Sequence, residues 1–154
     1  MRAFISYSTA LDQIIALRLQ TMAAVYGMTI YVPPATTRTD PTGLLSADVK
    51  EQLRQSDLVL AVITHSPSPS ALAEINTAMA LSRLLIPIVG PGVPSEYYGN
   101  FPKYFLVDAN DPSKAEQEIV QFLAGKQQEE AARTAVLALT TLAVALLLLG
   151  SGSK

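Results

Sequence analysis

Apolar residues recur along the chain with two spacings that alternate. Short, nearly continuous apolar runs are typical of strands covered on both faces, and they occur at 2–7, 28–32, 57–64, 85–89 and 104–107. Apolar residues three or four positions apart predict helices at about 10–26, 44–55 and 71–83, and another from residue 112. Strands that alternate with helices, without hairpin signals, predict a five-stranded parallel sheet with helices on both faces.

The helix after the third strand carries the most informative acid. Two Ser-Pro pairs precede it, and proline suits the first turn of a helix. Four residues are expected to form its apolar stripe: Leu72, Ile75, Met79 and Ser82. Glu74 lies off that stripe beside small alanines, so we expect its carboxylate to have room for a ligand.

The carboxyl ends of parallel strands are where ligands bind in such sheets, so the residues that follow the strands matter most. Ser6, Tyr7 and Ser8 follow the first strand, residues 33–43 the second, and residues 64–74 the third. These loops hold hydroxyl groups, tyrosine and one arginine rather than a glycine-rich phosphate cradle. A P-loop kinase and a Rossmann dehydrogenase are therefore disfavoured.

Composition narrows the function classes further. The chain of 154 residues fits one ordinary domain, and its net charge of −2 gives no reason to expect a nucleic-acid partner. Because it contains no cysteine and a single histidine, a metal cluster or a histidine-based triad is disfavoured, and we expect no metal site. His65 is interpreted as a residue at a strand end rather than as a catalyst.

The C-terminal segment differs from the rest of the chain. Residues 134–150 carry no charge and are rich in leucine, and they predict a transmembrane helix that anchors the protein in a membrane. Lys126 and Arg133 precede this segment, which favours a cytoplasmic domain, and the N-terminus has no signal-peptide pattern. The expected organisation is a domain at 1–125, a linker or helix extension at 126–133, the transmembrane helix and a tail at 151–154.

Four segments together resemble the Toll/interleukin-1 receptor (TIR) domains, particularly the bacterial members. RAFISYS is similar to the first strand of that family, and PPATTRTDPTG, Pro33 to Gly43, stands where the family has its BB loop. SDLVLAVITHSPS and ALAEINTAMALSRLLIPIV resemble the strand and helix that carry the catalytic glutamate of the family. The resemblance covers about residues 1–125, and the order and spacing of the segments carry it.

The resemblance implies a flavodoxin-like α/β fold and an enzyme that cleaves NAD at the nicotinamide–ribose bond. Glu74 would be the catalytic carboxylate, since a carboxylate beside the sugar stabilises its oxocarbenium character. NAD would be the substrate, and no cofactor is expected. The family also implies a bacterial antiphage immune effector that self-associates through the BB loop. Seven residues are the expected substrate contacts: Ser6, Tyr7, Ser8, Tyr31, Arg38, Ser66 and Ser70.

Two alternatives remain open. Many NAD-cleaving relatives have an aromatic residue one turn before the glutamate, where this chain has Ser70, and some have arginine after the first strand, where it has Ser8 and Thr9. One alternative is a TIR module that only assembles with other TIR domains. The other is an enzyme like the nucleoside deoxyribosyltransferases, which share the general fold and use a carboxylate at a ribosyl centre.

Overall fold

A computed structural model describes residues 1–108 and 110–150, with side chains up to residue 138. Within this part of the chain a parallel five-stranded sheet has the strand order β2-β1-β3-β4-β5. The strands are β1 Arg2–Ser6, β2 Thr29–Tyr31, β3 Leu58–Ile63, β4 Leu84–Val89 and β5 Phe105–Leu106. The helices are α1 Ala10–Val25, α2 Ala47–Gln55, α3 Pro69–Ala80 and α4 Pro112–Gly150, with a 3-10 turn at Ser95–Tyr97. The flavodoxin-like α/β fold expected from the sequence is confirmed.

Alternation along β1 divides the core into two halves. Ile5 points into a cluster with α1 and α4, whereas Phe4 points into a second cluster with α2 and α3. Successive strand residues face opposite sides of a sheet, so one strand serves both clusters. The helices therefore cover both faces, and β3 is buried along its whole length between them.

Local signals in the sequence fix where the helices begin and end. Thr9 caps α1 in a capping box with Asp12, and Ser68 caps α3 directly before Pro69 at the first helical position. Gly27 has a φ of +71° just after α1, the left-handed conformation that glycine adopts without a steric penalty. These caps place the first turns of α1 and α3 at the carboxyl edge of the sheet.

The buried face of α3 differs from the expected apolar stripe. Ala71, Glu74 and Ala78 are its buried residues, while Leu72 and Met79 are about half exposed. Small side chains let the helix lie close to the sheet, so the face with the alanines packs inward and carries Glu74 with it. Glu74 is consequently part of the interior, and the expectation of an open carboxylate is wrong.

Helix α4 runs from Pro112 to Gly150 and includes residues 126–133, for which a linker or helix extension was expected. Its N-terminal part packs on the α1 side of the sheet through Ala115, Ile119, Val120 and Leu123. Across the described residues, none of the helices combines the length and apolar character needed to cross a membrane. This finding overturns the predicted transmembrane helix at 134–150 and the membrane localisation based on it. The predicted tail at 151–154 lies outside the described residues.

Candidate active site

Glu74 lies at the point in the sheet where the strand order reverses. β1 lies between β2 and β3 in the sheet. The hydroxyl of Ser6, at the carboxyl end of β1, contacts the carboxylate of Glu74. Ligands in open α/β sheets bind at this switch point, outside the carboxyl ends of the strands. Glu74 itself is 0% exposed, so the acid is enclosed at the place where this fold builds its sites.

Both oxygens of the Glu74 carboxylate are engaged. Ser6 Oγ, at the end of β1, donates to Oε2 at 2.5 Å. Arg38 Nε donates to Oε1 at 2.9 Å and Arg38 Nη2 donates to Oε2 at 2.7 Å. The guanidinium therefore binds the carboxylate with two parallel hydrogen bonds, the strongest common geometry for this pair. Arg38 is only 5% exposed, which makes this a buried ion pair.

Tyr7 completes the arrangement from above the guanidinium. The Arg38 Cζ atom lies 4.2 Å from the centre of the Tyr7 ring, and the Tyr7 hydroxyl donates to the carbonyl of Pro33 at 2.6 Å. Burial raises the pKa of the Tyr7 phenol, although the nearby Arg38 charge acts against that rise. The ring remains neutral at pH 7 and presents its face to the cation. Ser6, Tyr7, Arg38 and Glu74 thus lie together at this edge of the sheet.

The segment that carries Arg38 is closed on itself. Between β2 and α2, the Asp40 backbone N–H donates to the Leu44 carbonyl at 2.7 Å, and the Ser46 N–H donates to the Arg38 carbonyl at 2.9 Å. The Asp40 carboxylate accepts from Thr42, and this bond lowers its pKa. Residues 38–46 are thus tied largely to one another, while Arg38, the buried Leu45 and Ser46, which caps α2, join them to the body.

The remaining predicted contacts lie at different places around this edge. Ser8 Oγ accepts from the Ser68 N–H at 2.9 Å and ties the β1 exit to the start of α3. The Tyr31 hydroxyl donates to Asp48 at 2.7 Å. Ser66 is exposed in the loop after β3, and Ser70 is half-buried in the first turn of α3. Of the seven predicted contacts, the structure brings Ser6, Tyr7 and Arg38 to Glu74.

A second polar chain at the same edge was not foreseen from the sequence. Asp12 is 0% exposed, and its carboxylate accepts from Thr64 Oγ1 and from the Thr9 backbone N–H. Thr64 Oγ1 also lies 3.0 Å from Nδ1 of His65. The Thr-x-x-Asp pattern of a capping box could have identified Asp12 as a fixed carboxylate. Its link to Thr64 depends on packing across the sheet and has no local signal.

A cavity of about 500 Å³ opens beside His65 at the ends of β3 and β4. Its walls include His65, Ser66, Pro67, Pro94 and Tyr97. A cavity of this size is within the range for small-molecule sites, and mixed apolar and polar walls are typical of them. Among the described residues, no group of histidine, cysteine or acidic side chains has an arrangement that could hold a metal ion.

Comparison with known proteins gives a fold and no family. No family model matches the chain, and no curated protein does. A CMP N-glycosidase of Clostridium botulinum, BcmB, is similar in structure with a TM-score of 0.54 and 14% identity, covering 79% of this chain and 99% of that protein. A 2-deoxyribosyltransferase of Bacillus psychrosaccharolyticus has a TM-score of 0.51 and 14% identity, covering 72% and 89%. At this identity the likeness shows the shared fold alone.

These findings correct the identification as a TIR domain. No family model of that kind matches, and the similar structures are instead a glycosidase and a deoxyribosyltransferase. Three further predictions depended on that resemblance and fall with it: NAD as the partner, self-association through a BB loop at residues 33–43, and a role in antiphage defence. The assembly-only module loses its basis for the same reason. The short segments misled because they encode strands and caps of a fold that several families share.

Proposed function

We propose that this chain is an enzyme that cleaves the N-glycosyl bond of a nucleoside or nucleotide. Glu74 would be the carboxylate that acts on the ribosyl carbon. The observation that carries the proposal is the enclosed Glu74 carboxylate at the switch point, held by Ser6 from one strand and Arg38 from a separate loop. The shared fold supports it, since one similar structure is a CMP N-glycosidase and another is a 2-deoxyribosyltransferase.

The chemistry of the bond explains why a carboxylate is needed. When the bond between the sugar carbon and the base nitrogen breaks, its electron pair leaves with the base and positive charge develops on the sugar. A carboxylate held against that sugar stabilises the charge or forms a bond with the carbon. Ser6 keeps one oxygen of Glu74 in a fixed position, so the orientation of the group is set before the substrate binds.

The buried ion pair must open for this reaction to occur. The guanidinium of Arg38 occupies both carboxylate oxygens, so a sugar reaches Glu74 only after Arg38 withdraws. Residues 40–44 are bonded to one another, which would let this part of the loop move with Arg38 while Leu45 stays in the core and Ser46 keeps capping α2. The ribose hydroxyls would then take the hydrogen-bonding positions that Arg38 leaves. Under this proposal the structure is the closed state, in which the carboxylate is protected from water.

A panel of substrates tests the proposal. The purified chain is incubated with cytidine, CMP, the other nucleosides and nucleotides, their 2-deoxy forms and NAD, and the free base is measured by chromatography. We expect release of a base from at least one nucleoside or nucleotide, and loss of that release in Glu74→Gln. Adding a second free base separates hydrolysis from transfer, because a transferase makes a new nucleoside.

The same panel contains the contradicting outcomes. If no base is released from any substrate, or if Glu74→Gln releases it at the wild-type rate, the proposed function is wrong. Cleavage of NAD alone would instead favour the activity first expected from the sequence.

A further inference from the structure

The base that leaves in the proposed reaction needs a proton, and Glu74, which acts on the sugar, does not supply it. An uncharged nucleobase that departs with the bonding electron pair becomes an anion unless it receives a proton as the bond breaks. General acid catalysis at such a step typically contributes a factor of about 10² to 10⁴. Nicotinamide is cationic only while it is bound to the ribose. It therefore leaves as a neutral molecule and needs no acid. An enzyme for ordinary nucleosides therefore needs a proton donor near the base.

We propose that His65 is this general acid and that the cavity beside it receives the base. The proposal rests on the proposed function, in which Glu74 acts on the sugar. His65 is the single histidine of the chain, and histidine is the side chain whose ordinary pKa lies nearest to neutral pH. It follows β3 in the chain, at the same edge of the sheet as Glu74. His65 is exposed and lines the cavity, so it can exchange its proton with solvent between turnovers.

The hydrogen bonds behind His65 determine which ring nitrogen can serve. The Thr64 hydroxyl has one proton, and it donates that proton to the Asp12 carboxylate, which only accepts. Thr64 Oγ1 must then accept from Nδ1–H of His65 at 3.0 Å. Nδ1 thus keeps its proton in both forms of the ring, and Nε2 is the atom that gains and loses one.

The walls of the cavity suit a flat heterocycle. Pro67, Pro94 and Tyr97 supply apolar and aromatic surface, while His65 supplies the polar group. Gly90, directly after β4, lies against Thr64, because a Cβ on Gly90 would be 2.9 Å from Thr64 Cγ2. The exits of β3 and β4 therefore approach as closely as glycine permits.

In the proposed step, His65 gives one proton to the departing base. The bond between the sugar carbon and the base nitrogen breaks, its electron pair passes to the base, and the Nε2 proton of His65 passes to the base. The base departs neutral and His65 is left neutral. Water, or the second base in a transfer, then forms the new bond to the sugar carbon. The proton that this nucleophile loses restores the imidazolium.

The test compares substrates that differ only in the leaving ability of the base. A graded series is made on the base that the enzyme accepts, which for a pyrimidine is the 5-methyl, unsubstituted and 5-fluoro forms. We expect His65→Gln to lower kcat by about 10² to 10⁴ on the poorest leaving group and by much less on the best one. A cationic N-riboside, whose base needs no proton, should be least affected.

Two outcomes distinguish a failure of the His65 proposal from a failure of the proposed function. If Glu74→Gln abolishes cleavage but His65→Gln lowers the rate equally across the series, His65 is not the acid and the proposed function stands. If Glu74→Gln leaves cleavage unchanged, the proposed function falls, whatever His65 does.

Thr64 is tested as a positioning residue. Thr64→Val keeps the shape of the side chain and removes its hydroxyl, so it should reproduce the leaving-group dependence of His65→Gln in weaker form. Thr64→Ser restores the hydroxyl and should return that dependence to the wild-type value. If Thr64→Val shows the wild-type dependence, the link from Asp12 through Thr64 to His65 does not orient the acid.

Discussion

Two fully buried carboxylates lie at the carboxyl edge of this sheet, one on each face, and they are held in different ways. Glu74 on α3 is paired with a guanidinium that a separate loop brings to it. Asp12 on α1 accepts from two neutral donors, the Thr64 hydroxyl and the Thr9 backbone N–H. Asp12 is therefore tied to elements of the sheet and its adjoining helix, whereas the partner of Glu74 belongs to a segment bonded mainly within itself.

This difference distinguishes a carboxylate with permanent partners, Asp12, from one whose partner a ligand could replace, Glu74. Asp12 satisfies a helix cap, and the required feature is an oxygen atom at that place. Glu74 requires a positive charge or its equivalent, because an unpaired carboxylate in the interior is costly. A ligand that replaces Arg38 gains access to a carboxylate already in position. This contrast supports the proposals that Glu74 acts on the sugar and that Asp12 supports His65.

The largest effect on stability should come from Arg38→Ala. This change leaves Glu74 buried without its partner, which typically costs about 3 to 5 kcal/mol in the free energy of unfolding. Urea unfolding measures it. The double variant Arg38→Met with Glu74→Gln should recover much of the loss, because no buried charge remains.

Arg18 provides the matched control for that prediction. Arg18 is 54% exposed and pairs with the buried Glu116 at 2.8 Å. Arg18→Ala should cost only about 0 to 1 kcal/mol, as partly exposed pairs do. If Arg18→Ala and Arg38→Ala destabilise the protein equally, the Arg38 pair has no special place in the interior.

Asp12 should respond to shape more than to charge. Asp12→Ala leaves the Thr64 hydroxyl and the Thr9 N–H without their acceptor, and we expect a loss of about 1 to 3 kcal/mol. Asp12→Asn retains an acceptor oxygen and should recover most of this loss. Thermal and urea unfolding of both variants measure it. An Asn variant as unstable as the Ala variant would show that the charge, and not the cap, holds this face.

The smallest effect concerns Tyr31 and appears only at alkaline pH. Burial and the hydrogen bond to Asp48 raise the pKa of the Tyr31 phenol above its ordinary value near 10. The unfolded chain therefore releases this proton first, so the contribution of Tyr31 is complete below about pH 10 and declines as the pH rises further. Tyr31→Phe should weaken the alkaline fall in unfolding free energy. An unchanged alkaline slope would mean that Tyr31 does not ionise differently in the two states.

Sequence patterns predicted the fold because its signals are local. Apolar runs mark the strands, and caps such as Ser68 with Pro69 mark the helix starts. The rule for strand ends also placed Glu74 and Ser6 at the same edge. The face of α3 was missed because Leu72 and Ile75 suggested a core stripe, whereas close approach to the sheet favours Ala71 and Ala78.

Two features of the site join residues that are far apart in the sequence, so no local pattern predicts them. Arg38 lies 36 positions before Glu74, and its reach back to the carboxylate depends on the conformation of residues 38–46. The link between Asp12 and Thr64 likewise joins elements that only the fold brings together. The substrate was not predicted correctly for a related reason. Segments such as RAFISYS encode a strand of the fold and say little about the substrate.

The central claim, that Glu74 acts on the substrate and is not merely part of the core, is tested most directly by a paired measurement on Glu74→Gln and Glu116→Gln. Glu116 is also buried and also paired with an arginine, although that arginine is largely exposed, so it controls for the removal of a buried, paired carboxylate. Both the rate of base release and the free energy of unfolding are measured. We predict that Glu74→Gln remains folded and loses a factor of about 10² to 10³ in rate, while Glu116→Gln keeps the wild-type rate. Equal rates for Glu74→Gln and wild type, or an equal loss in both variants, would contradict the account.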